Sequence, residues 1–349
     1  MKNLAIFCGS LSHGGAERVS IYLAEHLLIY DVVTTLITRT VSQTEYSVPN
    51  GVRRLNVHDY SNNSIIGLRK AIIISGADIV LVMGASNSIY AVPACLGLNV
   101  KLVISERNSP QNFAGRKIVR LLSEFLMRKA AGFVFQTEGA KKYYDKMLKG
   151  RGKVIPNPLI TNNLPAQFHG QREKRIVSVG RLVAQKNHEL LIKAFAAVHP
   201  MYPDYTLEIY GDGPLKEKLF QLVDDMNLAG CVILRGNVND VFKHTINAAV
   251  FVMSSNFEGM PNALIEAMAL GLPCISTDCP CGGPRFLINH GKNGLLCEVN
   301  DEEGLKKAII TMLEKPERAN QMGGEAVKVR DVLDANKIVA EWYNYMNSL

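Results

Sequence analysis

The sequence predicts an α/β protein of two doubly wound domains, and three observations carry that prediction. Short apolar runs recur between helical stretches, the pattern breaks once near the middle of the chain, and the chain is long enough for two cores. At 349 residues with 47% apolar content, it exceeds a single small module. Alternating strand and helix is the pattern of a parallel sheet with helices packed on its faces.

Leu4–Cys8 reads as the first strand. Gly14-Gly15 then introduces a helix over Ala16–Leu28, with Val19, Leu23, His26 and Leu27 at helical spacing. Ile79–Met83, Leu102–Ser105 and Gly132–Phe135 read as buried parallel strands. Around Pro156-Asn157-Pro158 the pattern breaks, and the polar segment through Gln171 has no clear period, which places the interdomain linker there. Strands resume at Ile176–Val179, Thr206–Tyr210, Val232–Leu234, Val250–Met253 and Cys274–Thr277, with helices such as Leu190–Val198 and Leu215–Met226 between them. Glu325–Met346 reads as a helix carrying Trp342, and one place for it is back against the first domain. The expected division is residues 1–160, residues 172–330 and a C-terminal helix within 331–349.

Charge is uneven. Residues 1–160 hold 20 Lys and Arg against 10 Asp and Glu, whereas residues 161–349 hold 19 against 22. The basic half suits an anionic partner such as a lipid surface or nucleic acid, or it is simply a soluble surface. Nucleic-acid binding has only charge in its favour, with no aromatic platform or matching motif, and is not expected. No apolar run approaches the roughly 20 residues needed to span a bilayer, and Leu4–Cys8 is too brief for a signal-peptide core. The expected location is the cytoplasm. Seven cysteines without a secretory signal read as reduced thiols. Cys274, Cys279 and Cys281 lack a fourth ligand and a paired half-site, so no metal is expected there.

Ligands of open parallel sheets bind where loops and helix starts follow the strands. After Ile176–Val179, the segment from Gly180 to His188 puts Arg181 and Lys186 on one loop. An Arg fork and a compact Lys charge suit phosphate oxygens, although two solvated surface cations have the same pattern. After Val250–Met253, Glu258 falls in a loop ahead of a helix that starts near Pro261, and Glu266 lies inside that helix. First-turn amides suit an anion. Two carboxylates beside an anion make sense if they accept hydrogen bonds from sugar and ribose hydroxyls.

Gly180-Arg181 with Lys186, Gly211-Asp212-Gly213, the E-x7-E pair Glu258/Glu266 and Asn293-Gly294-Leu295-Leu296 together resemble the retaining glycosyltransferases of family 4. The likeness runs through most of residues 175–315. It is looser in the first half, where Gly14-Gly15-Ala16-Glu17-Arg18 and Ser105-Glu106-Arg107 carry it. The resemblance implies a GT-B architecture, two Rossmann-like doubly wound domains facing a cleft, with no cofactor and a nucleotide-sugar donor, by preference a UDP-sugar. It implies that Arg181 and Lys186 hold the donor diphosphate, that Glu258 contacts the transferred sugar, and that Glu266 contacts the ribose. The base is implied near Gly236-Asn237-Val238, and the segment Gly259-Met260-Pro261-Asn262-Ala263-Leu264 belongs to the donor site. Gly14-Gly15 leaves room for phosphate. Glu17, Arg18, Ser105, Glu106 and Arg107 fall on the acceptor side. Many members have His where Arg107 stands, and often Glu where Phe286 stands.

In such a reaction negative charge grows on the departing diphosphate, which Arg181, Lys186 and the helix start near Pro261 are suited to stabilise. No dedicated base is evident, and a same-face path is the one commonly proposed for the family rather than a two-carboxylate hydrolase scheme. There is no D-x-D motif, and Asp224-Asp225 falls on a predicted helix. Metal independence is therefore expected.

Arg116–Arg128 reads as a basic amphipathic helix, with Ile118, Leu121, Leu122 and Phe125 on one face and Arg116, Lys117, Arg120, Arg128 and Lys129 elsewhere. Such a helix lies on an anionic membrane, or it buries the apolar face in a core and solvates its basic back. The first alternative suits a glycan acceptor linked to polyprenyl diphosphate and peripheral contact with the cytoplasmic leaflet. Competing functions are a nucleotide-sugar epimerase, which shares the architecture, and a non-catalytic donor-binding protein. A dehydrogenase lacks its G-x-G-x-x-G fingerprint after the first strand.

Overall fold

The apolar runs assemble into two parallel sheets. The computed structural model describes residues 1–349 apart from 13, 43–44, 113–116 and 162–163. It divides into two compact units, one of Met1–Ile160 with Leu333–Leu349 and one of Thr161–Val332.

In the first unit, the described residues form seven strands: β1 (Asn3–Cys8), β2 (Val33–Thr38), β3 (Arg53–Asn56), β4 (Ile79–Met83), β5 (Lys101–Glu106), β6 (Gly132–Phe135) and β7 (Gly152–Val154). They lie in the order β3-β2-β1-β4-β5-β6-β7. Ile6 at the centre of β1 faces Leu36 of β2 on one side and Leu81 of β4 on the other. β4 is buried throughout, as an unbroken Ile-Val-Leu-Val-Met run covered on both faces should be. The strand order reverses between β1 and β4, which makes the crevice at their carboxyl ends a topological switch point.

The second unit repeats this design. β8 (Glu173–Val179), β9 (Thr206–Tyr210), β10 (Val232–Gly236), β11 (Ala248–Met253), β12 (Cys274–Thr277) and β13 (Leu295–Cys297) are ordered β10-β9-β8-β11-β12-β13. Its switch point lies between β8 and β11. Arg172 ties the start of this sheet together, with Nη1 donating to the Ile246 and Ala248 carbonyls at 3.2 and 3.0 Å and Nη2 to that of Gly271 at 2.6 Å.

Two sequence expectations are corrected. Glu325–Met346 is not one helix: Pro316–Ala326, Val329–Val332 and Ala335–Ser348 are separate. The break has a local cause. The Leu333 carbonyl accepts the Leu159 N–H at 2.8 Å, and the Asp334 carboxylate caps the last helix by accepting the Lys337 N–H at 2.9 Å. That helix packs Ile338, Val339, Trp342 and Met346 into the core of the first unit, and its Tyr345 hydroxyl accepts the Phe133 N–H at 2.8 Å.

The second correction concerns the basic helix, which spans Lys117–Met127; Arg116 lies outside the described residues. It turns Ser123 and Met127 inward, with the Ser88 hydroxyl donating to that of Ser123 at 3.1 Å. Ile118, Leu121, Leu122 and Phe125 are 71%, 66%, 49% and 60% exposed. The core-facing alternative for its apolar face therefore does not hold. Among the described residues no helix is long and apolar enough to cross a membrane.

Candidate active site

At the switch point of the second sheet, the loops after β8 and β11 are laced together. The Asn256 N–H donates to the Gln185 carbonyl at 2.8 Å, and Asn256 Nδ2 to the Ala184 carbonyl at 2.9 Å. The Ser254 hydroxyl donates towards the Lys186 and Asn187 carbonyls at 3.1 and 3.0 Å. Asn187, in the left-handed region at φ 46°, turns the first loop into the helix His188–Val198 and caps it through its side chain. These bonds decide where the two charged side chains meet.

Lys186 Nζ lies 2.6 Å from Glu258 Oε1. The Ser255 hydroxyl donates to the same oxygen at 2.7 Å, and Gln185 Nε2 reaches Oε2 at 3.3 Å and the Phe257 carbonyl at 3.0 Å. Glu258 is buried, which is tolerable for a carboxylate because it is paired and hydrogen-bonded. An ionised carboxylate offers about four lone-pair sites, so Oε2 retains capacity for a hydroxyl. Arg181 is exposed on the same loop and has no ion-pair partner among the described residues.

His188, at the start of the helix behind the loop, is buried against the Gly180-Arg181 backbone. Burial, reinforced by the Lys186 charge, lowers its pKa to about 4. It is therefore neutral near pH 7 and adds no third cation beneath Lys186.

Beside Arg181 a cavity of about 250 Å³ opens, lined by Gly180, Tyr210, Gly211 and Gly236-Asn237-Val238. Gly211 sits at φ 137°, and a Cβ there would lie 2.1 Å from the Gly180 carbonyl oxygen. Only glycine lets the strand ends approach so closely. Glu266 lines an adjoining space that shares Val179 and Val241 with this cavity. Pro261 has extended backbone and occupies the cap position, so the helix runs Asn262–Ala269. Its first hydrogen bond is from Ile265 N–H to the Pro261 carbonyl at 3.1 Å, and the Ala263 and Leu264 amides before it have no intrahelical acceptor. Gly259 and Met260 complete the loop, and a Cβ on Gly283 would strike the Gly259 carbonyl at 1.8 Å.

The first-unit candidates form a second cluster. Gly14 caps the helix Gly15–His26, which carries Glu17 and Arg18 in its first turns. At the end of β5, Ser105 and Glu106 are buried. Glu106 Oε1 accepts the Arg107 and Asn108 N–H groups at 2.8 and 3.1 Å, and the Tyr144 hydroxyl donates to Oε2 at 3.3 Å. Burial raises the Glu106 pKa to about 7 against the pull of those bonds. Arg107 Nη2 donates to Asn157 Oδ1, which also accepts from Gln136 Nε2 at 2.6 Å. Burial lowers the Arg107 pKa to about 10, opposed by Glu106 and Glu17.

Gln185, Ser255, Asn256, His188, Asn157 and Tyr144 escaped the sequence reading. Gln185, Asn256, Asn157 and Tyr144 have partners far away in sequence, Ser255 reaches Glu258 only through the fold of its own loop, and His188 stands out only through its burial. The cysteines are free thiols, and burial pushes Cys279 up to about 12. Among the described residues no group of three His, Cys, Asp or Glu side chains is placed to hold a metal ion.

Comparison with known proteins gives this arrangement a family. The model of glycosyl transferases group 1 matches residues 160–329. An uncharacterized glycosyltransferase of Methanocaldococcus jannaschii is 30% identical over 290 residues, covering 70% of this chain and 71% of the relative. The N-acetylgalactosamine-N,N'-diacetylbacillosaminyl-diphospho-undecaprenol 4-alpha-N-acetylgalactosaminyltransferase of Campylobacter jejuni is 29% identical over 372 residues, 99% of this chain and all of that one. Among solved structures, Anabaena HepE in complex with UDP superposes with a TM-score of 0.83 over the whole of both chains at 18% identity, a likeness of fold. This chain therefore belongs to the glycosyltransferases and has the GT-B fold, with its second unit matching the group 1 model.

Proposed function

We propose that the protein is a retaining, metal-independent transferase of family 4. In this reading it moves a hexose or N-acetylhexosamine from a UDP-sugar to a lipid-linked glycan during surface polysaccharide assembly. The observation that carries the donor half is the Lys186–Glu258 pair at 2.6 Å, next to Arg181 and the cavity at one switch point. The named activity of the Campylobacter relative, which acts on a diphospho-undecaprenol-linked sugar, supports the acceptor half.

Arg181 and Lys186 take the diphosphate, joined by the Ala263 and Leu264 amides at the helix start. Glu258 Oε2 accepts a hydroxyl of the transferred sugar, and Glu266 a ribose hydroxyl. The anomeric carbon–oxygen bond to the diphosphate breaks while the acceptor oxygen bonds to the same face. The acceptor proton passes to the departing phosphate oxygen, and the cations stabilise the charge that develops there. In the first unit, Arg107 and Ser105 serve the acceptor side, with Glu106 holding their loop. The exposed apolar face of the Lys117–Met127 helix, with Lys117, Arg128 and Lys129 around it, supports peripheral contact with an anionic bilayer.

A donor screen followed by transfer assays tests this reading. Glu258→Ala and Lys186→Ala are expected to lower kcat/KM by about 10²–10³-fold, with wild-type turnover surviving excess EDTA. Wild-type rates in both variants would overturn the site, and rescue by Mn²⁺ or Mg²⁺ alone would overturn metal independence.

A further inference from the structure

The crevice between β1 and β4 in the first unit carries a cation, Arg39, that pairs with no carboxylate among the described residues. Arg39 follows β2 directly. Its N–H donates to the Gly9 carbonyl at 3.1 Å, and Thr40 adds its own N–H at 2.9 Å and its hydroxyl at 3.0 Å to the same oxygen. These bonds fold the end of β2 over the end of β1. From the other side comes Tyr90, in the helix Ser88–Cys95 that follows β4. The Arg39 guanidinium carbon lies 4.8 Å from its ring centroid, so the stacked pair bridges the switch point.

Arg39 is left incompletely satisfied. Its Nε–H is buried without an acceptor among the described residues, and Glu45, the acid on the adjoining connection, is taken by Arg54 at 2.7 Å. A buried unpaired donor carries a desolvation cost that a ligand oxygen would remove. The Tyr90 ring takes up one side of the guanidinium, whose planar N–H fork is the geometry that suits phosphate. The second sheet uses its own switch point for Lys186 and Glu258, which follow β8 and β11; in the first, Arg39 reaches the end of β1 from the end of β2.

We infer that Arg39, held by Tyr90, binds a phosphate oxygen of a phosphate-linked glycan acceptor. The inference rests on the glycosyl-transfer reading for its acceptor, but not on the donor-site residues. The same chemistry could come from the donor diphosphate, and the experiment separates the two sources.

Transfer by the full chain is measured from the UDP-sugar selected in the donor screen to two acceptors. Both carry one N-acetylhexosamine, on farnesyl diphosphate in one and as a neutral octyl glycoside in the other. UDP and farnesyl diphosphate binding are followed by calorimetry. Arg39→Gln is expected to raise KM for the diphosphate acceptor and Kd for farnesyl diphosphate by at least about tenfold, with the neutral acceptor and UDP within about twofold. Arg39→Lys should fall between, and Tyr90→Leu should follow Arg39→Gln while Tyr90→Phe stays near wild type. Unchanged diphosphate KM, or equal loss with both acceptors, overturns the inference. Weakened UDP binding with normal farnesyl diphosphate binding also overturns it, by assigning Arg39 to the donor. If the wild-type chain neither binds UDP nor turns over a UDP-sugar, the donor reading fails, and farnesyl diphosphate binding still decides the role of Arg39.

Discussion

Lys186 and Glu258 stand 72 positions apart, and each is unremarkable in its own loop. Their types and strand-end positions made them candidates, because phosphate calls for cations and hydroxyls call for acceptors. Their pairing depends on Asn256, Ser254 and Gln185, whose bonds run to backbone atoms of the opposite loop and leave no local pattern to read. Glu106 has the same character. Its place in Ser105-Glu106-Arg107 drew attention, but its work as an acceptor for two backbone amides and Tyr144 emerges only when β5 is buried.

Glu106 also carries a prediction about pH. Burial raises its pKa from 4.5 to about 7 in the folded state. Between those values the folded protein keeps a proton that the unfolded chain has released. The stability it contributes is fully present below the unfolded value and is lost as pH rises through about 7. A shift of this size corresponds to a loss on the order of 3 kcal/mol across the window. Glu106→Gln should flatten the dependence of unfolding free energy on pH between about 5 and 8, measured by urea denaturation. An unaltered slope would remove Glu106 as its source.

Among elements, long apolar strands were legible because burial on both faces demands an unbroken run, as in β1, β4 and β11. β3, β7 and β13 have only three or four residues, too few to display a period. β2 was hidden differently: its buried Thr34 and Thr35 make a core strand look polar, and the Thr34 hydroxyl is satisfied at 2.7 Å by the Ala24 carbonyl. The break before Ala335 was equally invisible, since it follows from the Leu333 carbonyl meeting Leu159.

The Lys117–Met127 helix is the element whose pattern allowed two environments, and its exposed apolar face leaves the membrane as the one to test. Wild-type protein is expected to float with phosphatidylglycerol-rich liposomes at low salt and to be released as screening increases. Leu121→Glu with Phe125→Glu should abolish flotation without lowering the melting temperature, because both side chains are already in water. Flotation that ignores lipid charge, salt and these substitutions would count against attachment through this helix.

At the scale of the molecule, two sheets of the same winding each reverse their strand order once, and each reversal gathers groups that the rest of its unit does not neutralise. In the second unit these are Arg181 and the Lys186–Glu258 pair, beside a cavity floored by Gly211. In the first it is Arg39, set over the Tyr90 ring. The doubly wound pattern was readable from alternation alone. The winding order was not, because it is set by which strands pair across long separations.

The central claim is that the β8–β11 switch point holds the donor diphosphate, and calorimetric titration of UDP tests it most directly. Loss of one charge-assisted contact is worth about 1.5–3 kcal/mol. Lys186→Ala should therefore bind UDP roughly tenfold to a hundredfold more weakly than wild type, titrated at a temperature where both proteins are folded, since the variant leaves the buried Glu258 carboxylate unpaired and melts lower. Equal UDP affinity in the two proteins would contradict the account.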